Sequence, residues 1–178
     1  MNSENFKNLV LTRQACRSFL PKKVEKEKPV QICDTARLSP SACNSQPWKI
    51  YAVSSPEKVA KVCESLQENG RNAFLSNATA FVVVSETKAV LKPDVTHRFS
   101  ETHFVKYDVG EVLAYITLTA QTLGVSSCII GYINQEKLRT AVNMTAEEEC
   151  NVVVALGYSN VPVREKIRRP YEDVVIEL

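Results

Sequence analysis

Residues Val105–Leu123 constrain the fold more than any other stretch. Val109, Val112, Leu113, Ile116, Thr119, Ala120 and Leu123 recur at the period of an α-helix. Gly124 stands where such a helix would end in a left-handed residue. A helix this long with one apolar stripe needs a sheet or further helices to cover it.

The rest of the chain supplies both. A first helix is expected over about Glu4–Leu11, with Phe6, Leu9 and Val10 on its apolar face. A second begins near Lys26–Pro29, carries Ile32, Cys33 and Ala36 inward, and is ended by Pro40. Lys49–Val53 ("KIYAV") reads as a strand, and Ser55-Pro56 as the cap and first turn of a helix reaching about Leu66. Ala80–Val84 ("AFVVV"), Ser126–Ile130 ("SSCII") and "NVVVALG" read as strands, the last ended by Gly157. Asn134 caps a helix over "NQEKLRTAV". The segment from Tyr158 has two apolar clusters and a basic centre, an extended tail that must dock to be ordered. Helices and about four strands alternate irregularly, and neither G-x-G-x-x-G nor G-x-x-x-x-G-K-[ST] is present. The expected fold class is therefore α+β, helices around one sheet, with residues 1–178 as a single domain.

Composition narrows the function classes. A net charge of +2 favours neither a nucleic-acid nor a membrane partner, and no apolar run is long enough to span a bilayer. Six scattered cysteines without a C-x-x-C pair, and a start unlike a signal peptide, point to reduced thiols in a cytoplasmic protein. His97 and His103 have no cysteine at zinc-like spacing, so no metal site is expected. Glu147-Glu148-Glu149 reads as a charge run that caps or solvates a helix.

Three polar clusters remain. Arg13 and Arg17, four apart, could meet a phosphate through their guanidinium forks, although cations also suit a helix end. Ser41, Asn44 and Gln46 lie in a Pro-rich turn and could line a planar heterocycle, or simply cap their own loop. Lys166 and Arg168 share a side of an extended chain and could clamp one anion. Together the clusters suit an organic phosphate with a planar, hydrogen-bonding head.

The residues also resemble the flavin-dependent nitroreductase family in four blocks. These are "TRQACRSF", "ARLSPSACNSQPWKIYAV", "YDVGEVLAYITLTAQTLGVSSCIIG" and "ALGYSNVPVREKIRRPYEDVV", in the family's order along almost the whole chain. The resemblance implies a mixed or antiparallel sheet flanked by helices, in an intertwined homodimer whose C-terminal arms, with Val174, Val175 and Ile176, exchange between subunits. It implies FMN as cofactor, NADH or NADPH as reductant, and hydride transfer through flavin N5 to a nitroaromatic, quinone or enone in a ping-pong scheme. The cofactor-binding positions it implies are Arg13, Gln14, Ala15, Arg17, Pro40, Ser41, Ala42, Asn44, Gln46, Asn72, Gly131, Lys166 and Arg168. Ser41, Asn44 and Gln46 would approach partly across the dimer interface, and Arg17 would lie near the pyrimidine edge. Gln14 and Ala15 replace a basic residue and a serine, which implies weaker phosphate binding unless another cation compensates. No side chain is implied as a catalytic acid. The alternatives are a flavin-storage protein without turnover and a specialised flavoenzyme such as a dehalogenase.

Overall fold

The structure, a computed structural model, describes residues 2–178. In chain order its elements are α1 (Ser3–Thr12), α2 (Glu27–Ala36), β1 (Trp48–Val53), α3 (Pro56–Leu66), β2 (Ala80–Glu86), α4 (Pro93–Thr96), α5 (Val105–Thr122), β3 (Ser126–Ile130), α6 (Gln135–Val142) and β4 (Glu149–Gly157). No helix among the described residues is long and apolar enough to cross a membrane.

The four strands form one antiparallel sheet in the order β1-β2-β4-β3. Strand side chains alternate between faces, and both faces of β2 and β4 are covered. Phe81 and Val83 of β2, with Val153 and Ala155 of β4, pack under α3 (Val62, Leu66) and α6 (Leu138, Ala141). Val82 and Val84, with Val154 and Leu156, pack under α2 (Ile32, Ala36) and α5 (Val112, Ile116, Ala120). This two-sided burial explains the unbroken apolar run of β2, where Ala80–Val84 have no exposed surface.

The periodic stripe of α5 faces the sheet as expected. Val109, Val112, Ile116 and Ala120 are buried, and Gly124 ends the helix at φ +67°. Asn134 caps α6 by accepting the Lys137 amide. Ser55 stands at the cap of α3, with Pro56 in the first turn, but its hydroxyl makes no capping bond. α2 stops at Ala36, four residues before Pro40, so the proline does not end it.

Two expectations are corrected. Phe6 and Val10 on α1 are exposed in the single chain, and α1 buries no residue at all. Glu148 is not solvated. Only 2% of it is exposed, and it accepts from Lys49, Tyr51, Ser85 and Thr145.

Candidate functional site

The segment after α1 lies along the free edge of β3. Ala15 pairs in parallel with Ser127, and the Cys16 amide donates to the Ser127 carbonyl at 2.9 Å. This single bridge is the sheet's only mixed character among the described residues. Phe19 then anchors the segment. Its ring sits so close to Gly157 that an added Cβ there would meet Cδ1 at 2.6 Å. The glycine is therefore required by close approach and not by its backbone angles.

The tail after β4 returns over the same segment. Gln14 donates from Nε2 to the Pro162 carbonyl at 3.1 Å, and Lys166 Nζ donates to the Arg13 carbonyl. Arg13 and Lys166 are half-buried, whereas Arg17 and Arg168 are exposed. Arg13 Nε is buried without any hydrogen-bond partner. Burial pulls the Arg13 pKa down. Burial first, then Arg168, Arg13 and Arg164, lower that of Lys166. Arg13, Arg164 and Arg168 thus each lie close enough to Lys166 to disfavour its charge. Among the described residues none of them, nor Arg17, has a carboxylate at ion-pair distance. Clustered cations without a counter-charge are what a phosphate needs.

The loop Pro40–Gln46 lies elsewhere. Ala42 N donates to both carboxylate oxygens of Asp108 at 3.2 and 3.3 Å, which ties the loop to the start of α5. Ser41 Oγ accepts the Gln46 amide at 2.9 Å, and Gln46 Nε2 donates to the Asn44 carbonyl at 3.2 Å. The loop therefore caps itself, as the plainer sequence reading has it. Cys43, Asn44 and Gln46 all adopt positive φ (54°, 54° and 49°), an uncommon run for residues other than glycine. The opening segment touches the other end of α5, where Gln121 Nε2 approaches Thr12 Oγ1 at 3.5 Å. Asp108 and Gln121 are 13 positions apart, about 20 Å along the helix. Within one chain the cation cluster and the Pro40–Gln46 loop are held at opposite ends of α5.

Asn72 and Gly131 complete the sequence-derived set. Asn72 adopts φ +53°, and its amide donates to the Leu66 carbonyl at 2.9 Å, so that hydrogen-bond donor serves the fold. Gly131 follows β3 and is exposed. A Cβ there would meet only the Asn151 carbonyl, at an ordinary 3.8 Å, so the chain's own packing does not demand glycine.

Arg164 stands in the basic run of the tail, but its pairing with Gln14 and Ala15 spans about 150 positions and leaves no local signal, so the sequence does not single it out. Nor does it single out Asp108 as the loop's anchor. The Asp-x-Gly pattern at the start of α5 was the available hint.

The fold is shared with solved structures. A nitroreductase family protein from Clostridium difficile 630 is 25% identical, with a TM-score of 0.80, over 99% of this chain and 98% of the other. A protein from Exiguobacterium sibiricum 255-15, provisionally called a nitroreductase and solved in complex with FMN, is 20% identical. Its TM-score is 0.82, over 100% of this chain and 99% of its own. Among curated proteins, one from Archaeoglobus fulgidus is 28% identical over 154 residues, 84% of this chain and 83% of that relative. It is provisionally named an NADH dehydrogenase/NAD(P)H nitroreductase. These likenesses define the class as an α+β protein of nitroreductase fold. The nitroreductase family model matches residues 10–71 and 59–158, and the chain belongs to that family.

Proposed function

We propose that the protein is an FMN-dependent NAD(P)H oxidoreductase whose cofactor site is completed by a second copy of the chain. The observation that carries this reading is that the tail brings Arg164 and Lys166 onto the segment of Arg13, and that neither they nor Arg168 have a carboxylate at ion-pair distance among the described residues. The buried, unpartnered Nε of Arg13 fits an anion in particular. The FMN in the Exiguobacterium sibiricum relative supports the same cofactor here.

The chemistry FMN supplies when bound is hydride transfer at N5 from NADH or NADPH to a small organic acceptor (nitroaromatic, quinone or enone), in a ping-pong scheme. Each residue has a narrower task. Arg13, Lys166 and Arg168 hold the phosphate. Arg17, exposed and without an ion-pair partner among the described residues, would supply positive charge to the flavin's pyrimidine edge. Gly131 leaves room for close backbone approach, and Gln14, Ala15 and Asn72 border the same half-site.

The second half-site comes from the other copy. One small cofactor cannot easily touch both ends of α5 in a single chain. A two-fold arrangement that brings Pro40, Ser41, Ala42, Asn44 and Gln46 of a second copy to the cation cluster removes the problem. Exposed apolar side chains suit such packing: Phe6, Val10 and Leu11 on α1, and Tyr107 and Tyr115 on α5.

The test is equilibrium titration with FMN. Arg13→Ala combined with Lys166→Ala is expected to strip the flavin and leave a folded protein with unchanged circular dichroism. Unchanged flavin occupancy would sink the phosphate assignment.

A further inference from the structure

Gln14 stands uncharged between Arg13 and Arg17, yet its side chain makes three hydrogen bonds to the tail. Its Oε1 accepts from both the backbone N and the Nε of Arg164, each at 3.1 Å. Its Nε2 holds the Pro162 carbonyl at 3.1 Å, on the other side of the same turn of tail. One guanidinium nitrogen of Arg164 also donates to the Ala15 carbonyl at 2.8 Å. An exposed arginine ordinarily keeps most of its rotamer freedom. Here three hydrogen bonds fix the residue, two of them through its guanidinium.

The geometry repeats along the tail. Arg164 grips the carbonyl of Ala15, and two residues on Lys166 grips that of Arg13. Arg164 and Lys166 thus both reach from the tail to carbonyls of the opening segment, and Arg168 lies near enough to Lys166 to lower its pKa. Arg164 also lies close enough to Lys166 to lower its pKa, behind burial and the closer influences of Arg168 and Arg13. Two of the five guanidinium N–H donors of Arg164 are committed to Gln14 and Ala15. The other three have no protein partner among the described residues.

We propose that Arg164 is a phosphate-binding residue of this site, and that Gln14 is its positioning residue. The opening segment thus obtains from the tail the charge that Gln14 itself lacks. The inference rests on the FMN reading above, and the ligand class is a flavin mononucleotide or another aryl-bearing phosphomonoester.

The experiment is a pair of fluorescence titrations, FMN against riboflavin, which differ only in the phosphate. Arg164→Gln keeps the backbone amide that bonds Gln14 and removes the guanidinium, with its charge and its bonds to Gln14 and Ala15. It is expected to weaken FMN about tenfold to a hundredfold, the range for a lost hydrogen bond to a charged group, with riboflavin affinity unchanged. Arg164→Lys is expected to recover part of the loss. Gln14→Ala is expected to weaken FMN selectively too, and to add little in the Arg164→Gln background, because both changes remove one interaction. Unchanged FMN affinity overturns the proposal. So does equal weakening of FMN and riboflavin, which would make Arg164 a clamp on the tail and nothing more. Additive losses overturn the role of Gln14. Wild-type protein that binds neither flavin overturns the cofactor reading itself, and the role of Arg164 with it.

Discussion

Glu148 shows how far one residue can depart from the look of its neighbourhood. Its Oε1 accepts from Lys49 at 2.9 Å and from the Thr145 amide and hydroxyl, while its Oε2 accepts from Tyr51 and Ser85. Burial pushes the carboxyl pKa up, but the bonds from Ser85, Tyr51, Lys49 and Thr145 outweigh it and hold the group below the ordinary carboxylate range. Burial, and then the same carboxylate, push the Tyr51 phenol up to about 12. A carboxyl whose folded pKa is depressed stabilises the fold above its unfolded value of 4.5. That stabilisation is lost as pH falls below this value toward the folded one. Glu148→Ala is therefore expected to lower unfolding free energy by about 1–3 kcal/mol for each hydroxyl left unpaired. Urea melts should show the gap between variant and wild type constant near neutral pH and narrowing as pH falls below about 4.5. A gap independent of pH would show that Glu148 acts by packing alone. None of this is legible in the sequence. Three glutamates in a row look solvated, and Lys49, Tyr51 and Ser85 lie 99, 97 and 63 positions away. The same distance in sequence hid the pairing of Arg164 with Gln14, although Arg164 itself stands in the tail's basic run. Arg13, Lys166 and Arg168 were legible because charge repeats locally, at positions that share a face.

Among the elements, local pattern and outcome agree where both faces of an element are decided by the chain itself. α5 follows its 3.6-residue period, α6 its asparagine cap, and β2 its apolar run between two helical layers. Agreement weakens at edges. The Ala15–Ser127 bridge joins two stretches with no shared pattern, and the short turn Ala42–Asn44 has positive φ at residues that do not announce it. The end of β4 couples these edges to the site. Gly157 receives the Phe19 ring, and Phe19 terminates the segment that carries Arg13 and Arg17. Gly157→Ala forces a Cβ into that ring and is expected to cost about 1–3 kcal/mol, as overpacking does. A chemical-denaturation midpoint equal to wild type would mean that Phe19 moves aside freely and does not anchor the segment.

At the scale of the whole molecule, one chain leaves unfinished business on two surfaces. α1 buries nothing, and beyond Lys166 the tail carries Ile167, Tyr171, Val174, Val175 and Ile176 to solvent, Ile167 at 88% exposure. Hydrogen bonds of this stretch run within itself, from Val174 and Val175 to Tyr171 and from Tyr171 to Glu177. An arm laid on a second copy accounts for apolar residues that have no core of their own. Deleting Tyr171–Leu178 is expected to weaken the proposed dimer, read as a shift toward monomer in sedimentation velocity. Identical sedimentation of the truncated and full chains would rule out arm exchange. Under the proposed function, the placement of the two polar clusters at opposite ends of α5 calls for the same second copy. Flavin binding and self-association should therefore rise and fall together.

The most direct test of the whole account is the visible absorption spectrum of the purified protein with FMN, taken before and after anaerobic NADH or NADPH. Bound-flavin bands are expected to bleach on addition of the nicotinamide and to return when a nitroaromatic or quinone is added. Bound flavin that stays oxidised under both nicotinamides, or protein that leaves FMN free in solution, would contradict the proposed function.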